Sequence, residues 1–295
     1  GPGYLVFVCR QSAGELVEGL RGLEGARFPI FTVPVGCPYA VGLEELLAAR
    51  ALGLKPILAC SQVDEGCREA GRIYAETVAR DYERLAGERL EVLAVGEAAE
   101  LLRGGDPGTR PLEGLEELWP PKLRHLAVGE AARLTRGRRG RVELATYFAG
   151  YVHVDRERCT LCGACAANCP TSALTLERGG AERLMFVNAS CIACGYCAEV
   201  CPYNAIRVER AIEPSEYLLR KPRAESEMAR CISCGKPVAP LRMLRGVAEE
   251  LRRQGFGEEY VKAVYLCGEC KTRYALGLLD LSTLRNPYEE GPAGG

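Results

Sequence analysis

The chain is 295 residues long, 47% hydrophobic and 26% charged, with a formal net charge of -1. These proportions describe a globular protein of about two domains, and the balanced charge gives no electrostatic reason to expect nucleic acid as a partner. No run of about 18 apolar residues occurs, so no membrane insertion is expected, and the opening Gly-Pro-Gly-Tyr-Leu-Val has no charged segment ahead of an apolar one, so it does not read as a secretory signal.

The first hundred residues alternate strand and helix patterns. Residues 4–8, 30–35, 56–59 and 90–95 read as strands, and 15–23, 43–52 and 65–85 as helices. Such alternation with short connections predicts a parallel sheet covered by helices, a flavodoxin-like or Rossmann-like layer over 3–102. Cys9 directly follows the first strand, Cys37 lies just past the second and Cys60 directly follows the third. All three are expected at the carboxyl edge of the sheet, where open parallel sheets hold ligands, with Cys67 near the start of the next helix. Three readings stand for these four: small apolar packing groups, a cluster such as [2Fe–2S], or a redox-active thiol pair. The turn after the first strand, Cys-Arg-Gln-Ser-Ala-Gly, lacks the glycine pattern of a dinucleotide site.

On Val-Phe-Val-Cys9, Val-Pro-Val-Gly-Cys37, Leu-Ala-Cys60 and Cys67, this region resembles the delta subunit of methyl-viologen-reducing hydrogenases, an iron–sulfur module that docks on heterodisulfide reductase. The resemblance covers about 4–96, with two departures: Ser12 stands where the family has a second cysteine, and the family's Gly-Cys-His reads Ala-Cys60-Ser61. From 103 to 145 glycine, Pro107, Pro111 and Pro120-Pro121 predict a linker with a short helical piece around 130–134 and Trp119 pinning it to a domain. Arg133, Arg136, Arg138, Arg139 and Arg141 form a basic run, read as a solvated surface or as a dock for an acidic protein.

Sixteen cysteines against two histidines, His125 and His153, direct ligation to sulfur rather than imidazole. With no export signal read, these thiols are expected to stay reduced in a cytoplasmic protein. Half of them form one pattern written twice: Cys159-x2-Cys162-x2-Cys165-x3-Cys169-Pro170 and, 32 residues later, Cys191-x2-Cys194-x2-Cys197-x3-Cys201-Pro202. Three thiolates from one tight loop cap three irons of a cubane, and the fourth cysteine of each run reaches the other cluster. This assigns one [4Fe–4S] cluster to Cys159, Cys162, Cys165 and Cys201 and a second to Cys191, Cys194, Cys197 and Cys169. Strands are expected at 151–154, 173–177, 184–187 and 206–209, the first pair in one half and the second in the other, with Tyr196, Tyr203 and Ile192 shielding the clusters. Over about 152–210 the chain closely resembles bacterial-type two-[4Fe–4S] ferredoxins, including the glycines Gly163 and Gly195 after each second cysteine, within a domain placed at 146–212.

The remaining cysteines, Cys231-x2-Cys234-Gly235 and Cys267-x2-Cys270, flank a helical stretch at 241–254 and form a small four-cysteine knuckle module at 226–280. Four thiolates in two knuckles suit zinc, with a single iron, a third iron–sulfur cluster or unmetallated thiols as alternatives. The stretch 229–274 resembles knuckle extensions on ferredoxin-like subunits of formate dehydrogenases and related molybdenum or tungsten enzymes, and 281–295 reads as a flexible tail or one laid along a partner. The fold expected is therefore α/β and α+β, multidomain. The role expected is an iron–sulfur electron-transfer subunit bound to other subunits of a cytoplasmic redox complex, of hydrogenase/heterodisulfide reductase or formate dehydrogenase type. The alternative is a thiol- or flavin-dependent active site in the N-terminal domain fed by the ferredoxin; a non-redox iron–sulfur sensor is a third reading.

Overall fold

The computed structural model describes residues 2–21, 28–60, 65–109, 122–179 and 181–288, with the side chains of 65–73 outside the described set. Trp119, Pro111, Pro120-Pro121, the Cys67 side chain and the tail beyond Tyr288 therefore lie outside the described residues. The chain divides into two compact units, 1–150 with 210–218, and 151–209 with 219–295.

The first unit holds a four-stranded sheet of β1 (Gly3–Cys9), β2 (Ile30–Val35), β3 (Leu54–Ala59) and β4 (Glu91–Leu93), in the order β2-β1-β3-β4. Every neighbouring pair is parallel. Central β1 and β3 are buried on both faces, so they read as continuous apolar runs, Tyr-Leu-Val-Phe-Val and Pro-Ile-Leu-Ala. Edge strand β2 is largely exposed, with Phe31 at 51%. The helices are α1 (Ala13–Leu20), α2 (Leu43–Ala51), α3 (Glu65–Ala86), α4 (Val95–Gly104) and α5 (Leu123–Thr135). One apolar cluster joins Tyr4, Val6 and Val8 of β1 to Leu16 of α1, Ile57 of β3 and Ala98, Ala99 and Leu102 of α4.

Two expectations for this unit are corrected. The strand expected at 90–95 ends at Leu93, and the chain turns at once into α4. Residues 122–145 are not linker: α5 packs on α2 through Leu126, Ala48 and Ala51. That packing buries Glu130 completely, where its carboxylate meets Arg50 (3.2 Å) and Arg133 (2.5 Å). Short β5 (Val142–Glu143) pairs antiparallel with β10 (Ala211–Ile212), and the buried carboxylate of Asp81 accepts from the N–H groups of Ala145 and Thr146 at 2.9 and 2.7 Å. Much of the basic run is thereby spent inside the unit: Arg138 donates to the carbonyls of Arg84 and Leu85, and Arg141 pairs with Glu213.

The second unit contains β6 (Tyr151–Val154), α6 (Ala164–Ala167), β7 (Leu174–Glu177), β8 (Ala181–Val187), α7 (Tyr196–Glu199), β9 (Ile206–Glu209), β11 (Arg220–Arg230), β12 (Pro237–Pro240), α8 (Leu241–Arg253), α9 (Glu258–Val264) and α10 (Gly268–Ala275). The strand pairing expected within each half is exchanged: β6 pairs with β9, and β7 with β8. The β7–β8 ribbon thus joins the two cysteine runs and the β6–β9 ribbon brackets them. β11, unforeseen because seven of its 11 residues are charged or proline, lies antiparallel on β8 with a bulge at Pro222/Ala224 and continues the sheet to β12. The knuckle stretch is accordingly not a separate appendage but shares a unit with the ferredoxin strands. Ala229, Leu244, Ala248, Val261, Val264 and Tyr265 form its core. Residues 286–288, expected in the tail, are docked: the Tyr288 ring stacks on Tyr265 (centroids 5.5 Å apart) and its hydroxyl accepts from the N–H of Arg230 at 2.7 Å.

Candidate iron–sulfur and metal sites

Each cysteine run opens into a short helix, and the two do so with the same backbone. Leu161 and Ala193, between the first two cysteines, have φ of 60° and 54°; Gly163 and Gly195 follow at 82° and 80°; Ser172 and Asn204 close the runs at 53° and 47°. Members of each pair are 32 residues apart. Left-handed residues set among right-handed ones turn successive N–H groups toward one point, an anion-binding arrangement suited to sulfide and thiolate. A side chain on Gly163 would place its Cβ 2.7 Å from Cδ1 of Leu176, so glycine there relieves strain at positive φ and leaves Leu176 in place against the pocket.

Two pockets result. The first is lined by Cys159, Cys162, Cys165 and Cys201, walled by Leu176, Leu184, Tyr203 and Ile206. The second is lined by Cys169, Cys191, Cys194 and Cys197, walled by Phe186, Val208 and Ile192. The two are nearly equal in size, each with room for about 20 Å³. Each gathers three cysteines of one run and the last cysteine of the other. Tyr203 and Ile192 take the shielding positions, whereas Tyr196 is 49% exposed and lines neither pocket.

The electrostatics of the pockets suit a cationic core. Burial, reinforced by the neighbouring thiols, pushes Cys165 up to about 12 and Cys197 up to about 11. Four thiolates cannot coexist there unless positive charge is placed among them, as cluster irons do. Burial also raises Cys159, against the N–H of Leu161 and the guanidinium of Arg242. At Cys169 burial is outweighed by the N–H groups of Leu174, Thr171 and Ala173 and the Thr171 hydroxyl, which hold the thiol below its ordinary value. The matching donor in the other run is the N–H of Ala205, 3.3 Å from Sγ of Cys201.

The C-terminal thiols are arranged differently. The Sγ atoms of Cys231, Cys234, Cys267 and Cys270 all lie within 4.8 Å of one another, with Cys234 and Cys267 3.6 Å apart. A tetrahedron of thiolates at about 2.3 Å from one ion has edges of about 3.8 Å, so this set fits a single metal ion and is too tight for a cubane. Gly235, at φ 74°, turns the chain back so that the N–H of Cys231 reaches the carbonyl of Lys236 at 2.7 Å. Burial pushes the Cys231 thiol up, but the N–H groups of Cys267, Cys234 and Ser233 prevail and hold it down at about 6. Cys267 stands at the N-terminus of α10, and Lys236 pairs with Glu269 at 2.7 Å.

In the first unit Cys9 ends β1, Cys37 follows β2 and Cys60 follows β3, all at the carboxyl edge of the parallel sheet. Cys9 is buried, Cys37 and Cys60 half-buried, and the N–H of Cys60 donates to the carbonyl of Leu93 at 3.1 Å. Among the described residues these three do not converge to within 4.8 Å as the C-terminal four do, and the Cys67 side chain lies outside the described residues. No described helix is long and apolar enough to cross a membrane.

Two family models, each described as a 4Fe-4S dicluster domain, match residues 151–202 and 190–239. The first spans both cysteine runs. The second spans Cys191 to Cys201 together with Cys231 and Cys234, and the next cysteine after Cys234 is Cys267. Geometry decides between these readings, because Cys231 and Cys234 converge with Cys267 and Cys270 rather than with a third run. No curated protein sequence matches the chain. The chain carries a ferredoxin-type 4Fe-4S dicluster domain, an iron–sulfur electron-transfer module.

Proposed function

We propose that this protein is the iron–sulfur electron-transfer subunit of a cytoplasmic multi-subunit oxidoreductase, of hydrogenase/heterodisulfide reductase or formate dehydrogenase type, and that it relays single electrons through two [4Fe–4S] clusters. The observation that carries the reading is the pair of equal pockets, each lined by three cysteines of one run and one of the other. When bound, such clusters supply one-electron redox chemistry. The chain's own groups do the rest. Cys159, Cys162, Cys165 and Cys201 hold one cluster and Cys191, Cys194, Cys197 and Cys169 the other. The N–H groups of Ala173, Leu174 and Ala205 stabilise negative sulfur. Leu176, Leu184, Phe186 and Val208 exclude water, keeping the site at low dielectric. Apart from the cysteines and Tyr203, the described pocket linings are mostly apolar and carry no carboxylate, histidine or lysine, which suits conduction rather than chemistry.

The four C-terminal thiols hold zinc in this account, closing the loop between β11 and α10 over the small core of Leu266 and Leu281. A second reading draws on the first unit. Strand order β2-β1-β3-β4 puts the point where connections diverge between the ends of β1 and β3, and Cys9 and Cys60 stand there. A [2Fe–2S] cluster or a redox thiol pair at that edge would extend the relay or make the unit an active site.

Dithionite reduction under argon tests the relay directly. The brown absorbance should bleach and two magnetically interacting centres should appear by electron paramagnetic resonance. A colourless protein that stays silent after anaerobic purification contradicts it.

A further inference from the structure

The two halves of the dicluster domain repeat one another in backbone, but not in the charge that surrounds them. A groove of about 620 Å³ runs beside the first pocket, between residues 157–160 and 202–204 on one wall and α8 on the other. Cys159 and Thr160 line both the groove and the first pocket. α8 approaches closely: a Cβ on Gly246 would lie 3.3 Å from Cγ2 of Thr160. The buried hydroxyl of Thr160 finds no partner among the described residues.

Arg158, Arg242, Arg245 and Arg253 contribute cationic side chains to this groove, and Glu157, Glu249 and Glu250 acidic ones. These are not equivalent. Glu250 is taken up by Arg253 (2.7 Å) and Gln254 (2.6 Å), and Arg245 reaches the carbonyl of Tyr288. Glu157, Glu249 and Arg158 are exposed, where solvent and salt screen them. Arg242 is half-buried; its backbone N–H is tied to Ser226 Oγ at 3.2 Å, and its side chain has no acidic partner among the described residues. Neither pocket has a charged side chain in its own lining, but the groove that holds Arg242 shares Cys159, Thr160 and Tyr203 with the first pocket and no residue with the second, and the positions equivalent to Glu157 and Arg158 are Ala189 and Ser190.

A cluster that accepts one electron becomes more negative by one charge, with no bond made or broken and no proton taken up. A nearby, weakly screened cation favours that state over the oxidised one. We propose that Arg242 is a positioning residue for the electron: it raises the reduction potential of the cluster held by Cys159, Cys162, Cys165 and Cys201 and makes it the accepting end of the pair. This inference rests on the relay reading above.

The test is a potentiometric titration of the full chain with reconstituted clusters, followed by electron paramagnetic resonance. Cys162→Ser identifies the signal of the first cluster. In the wild type that cluster should have the higher midpoint. Arg242→Gln should lower its midpoint and leave the other unchanged, Arg242→Lys should keep most of it, and Arg158→Gln, on an exposed loop, should give a smaller shift of the same sign. Superimposable titrations for wild type and Arg242→Gln, equal shifts of both clusters, or a wild type in which the first cluster is the lower one would each overturn the inference while leaving the relay intact. A wild type with no reducible cluster overturns both.

Discussion

The second unit uses Cys-x2-Cys in two ways, and the chain that follows each pair decides which. In the dicluster runs, left-handed residues at 161 and 193 and again at 163 and 195 wind the loop around a space, and a third cysteine follows. In the knuckle, the left-handed residue is Gly235, which folds the chain back and draws four Sγ atoms within 4.8 Å. Spacing alone therefore selects sulfur ligation, while loop curvature selects a cluster or a single ion.

The largest effect expected from breaking this contrast is at the knuckle. Cys267→Ser should release zinc and expose α8 to α10 to hydrogen exchange and proteolysis, since structural zinc contributes about 10–16 kcal/mol in small four-ligand domains; iron should stay. Retention of both zinc and protection in that variant would remove the metal from the account. Next comes the crossing of ligands. Cys201→Ser and Cys162→Ser should disturb the same paramagnetic signal, and Cys169→Ser the other one; a Cys201→Ser effect on the Cys194→Ser signal would mean the runs do not interleave.

A finer distinction separates the two glycines. Alanine at either should cost about 1–2 kcal/mol for the left-handed backbone, but only at 163 does the added Cβ meet Leu176, at 2.7 Å. Cluster loss in denaturant should therefore be faster in Gly163→Ala than in Gly195→Ala, and equal rates would contradict the packing argument. The smallest change concerns the ion pair between Lys236 and Glu269, both exposed. Lys236→Ala should leave the melting temperature unmoved, because an exposed ion pair contributes little to stability.

The sequence made the cysteine geometry legible because thiol spacing is itself the ligand geometry. The repeat of 32 residues announces the two-fold relation, and the central strands β1 and β3 of the parallel sheet are apolar runs leading into Cys9 and Cys60. What stayed hidden obeys no apolar period. β11 alternates exposed charge with the small buried residues Ala224 and Ser226, so no hydrophobic face is visible. α5 buries Glu130 beside Leu126, Ala127 and Ala131, which puts a charge in the stripe that marks a helix face. Leu161, Ala193, Ser172 and Asn204 adopt left-handed backbone without being glycine, so sequence reasoning found only the turns at Gly163 and Gly195. The exchange of strand partners across the repeat was equally invisible, since β6, β7, β8 and β9 have similar patterns and register does not choose between like partners.

The central claim is two interleaved clusters beside a single-ion knuckle. Iron, acid-labile sulfide and zinc counted per chain after anaerobic purification test it most directly. The account predicts about eight irons, about eight sulfides and about one zinc, with more of either iron or sulfide admitting a cluster at the edge of the first unit. About four irons and four sulfides, or zinc in place of iron at the duplicated run, would contradict it.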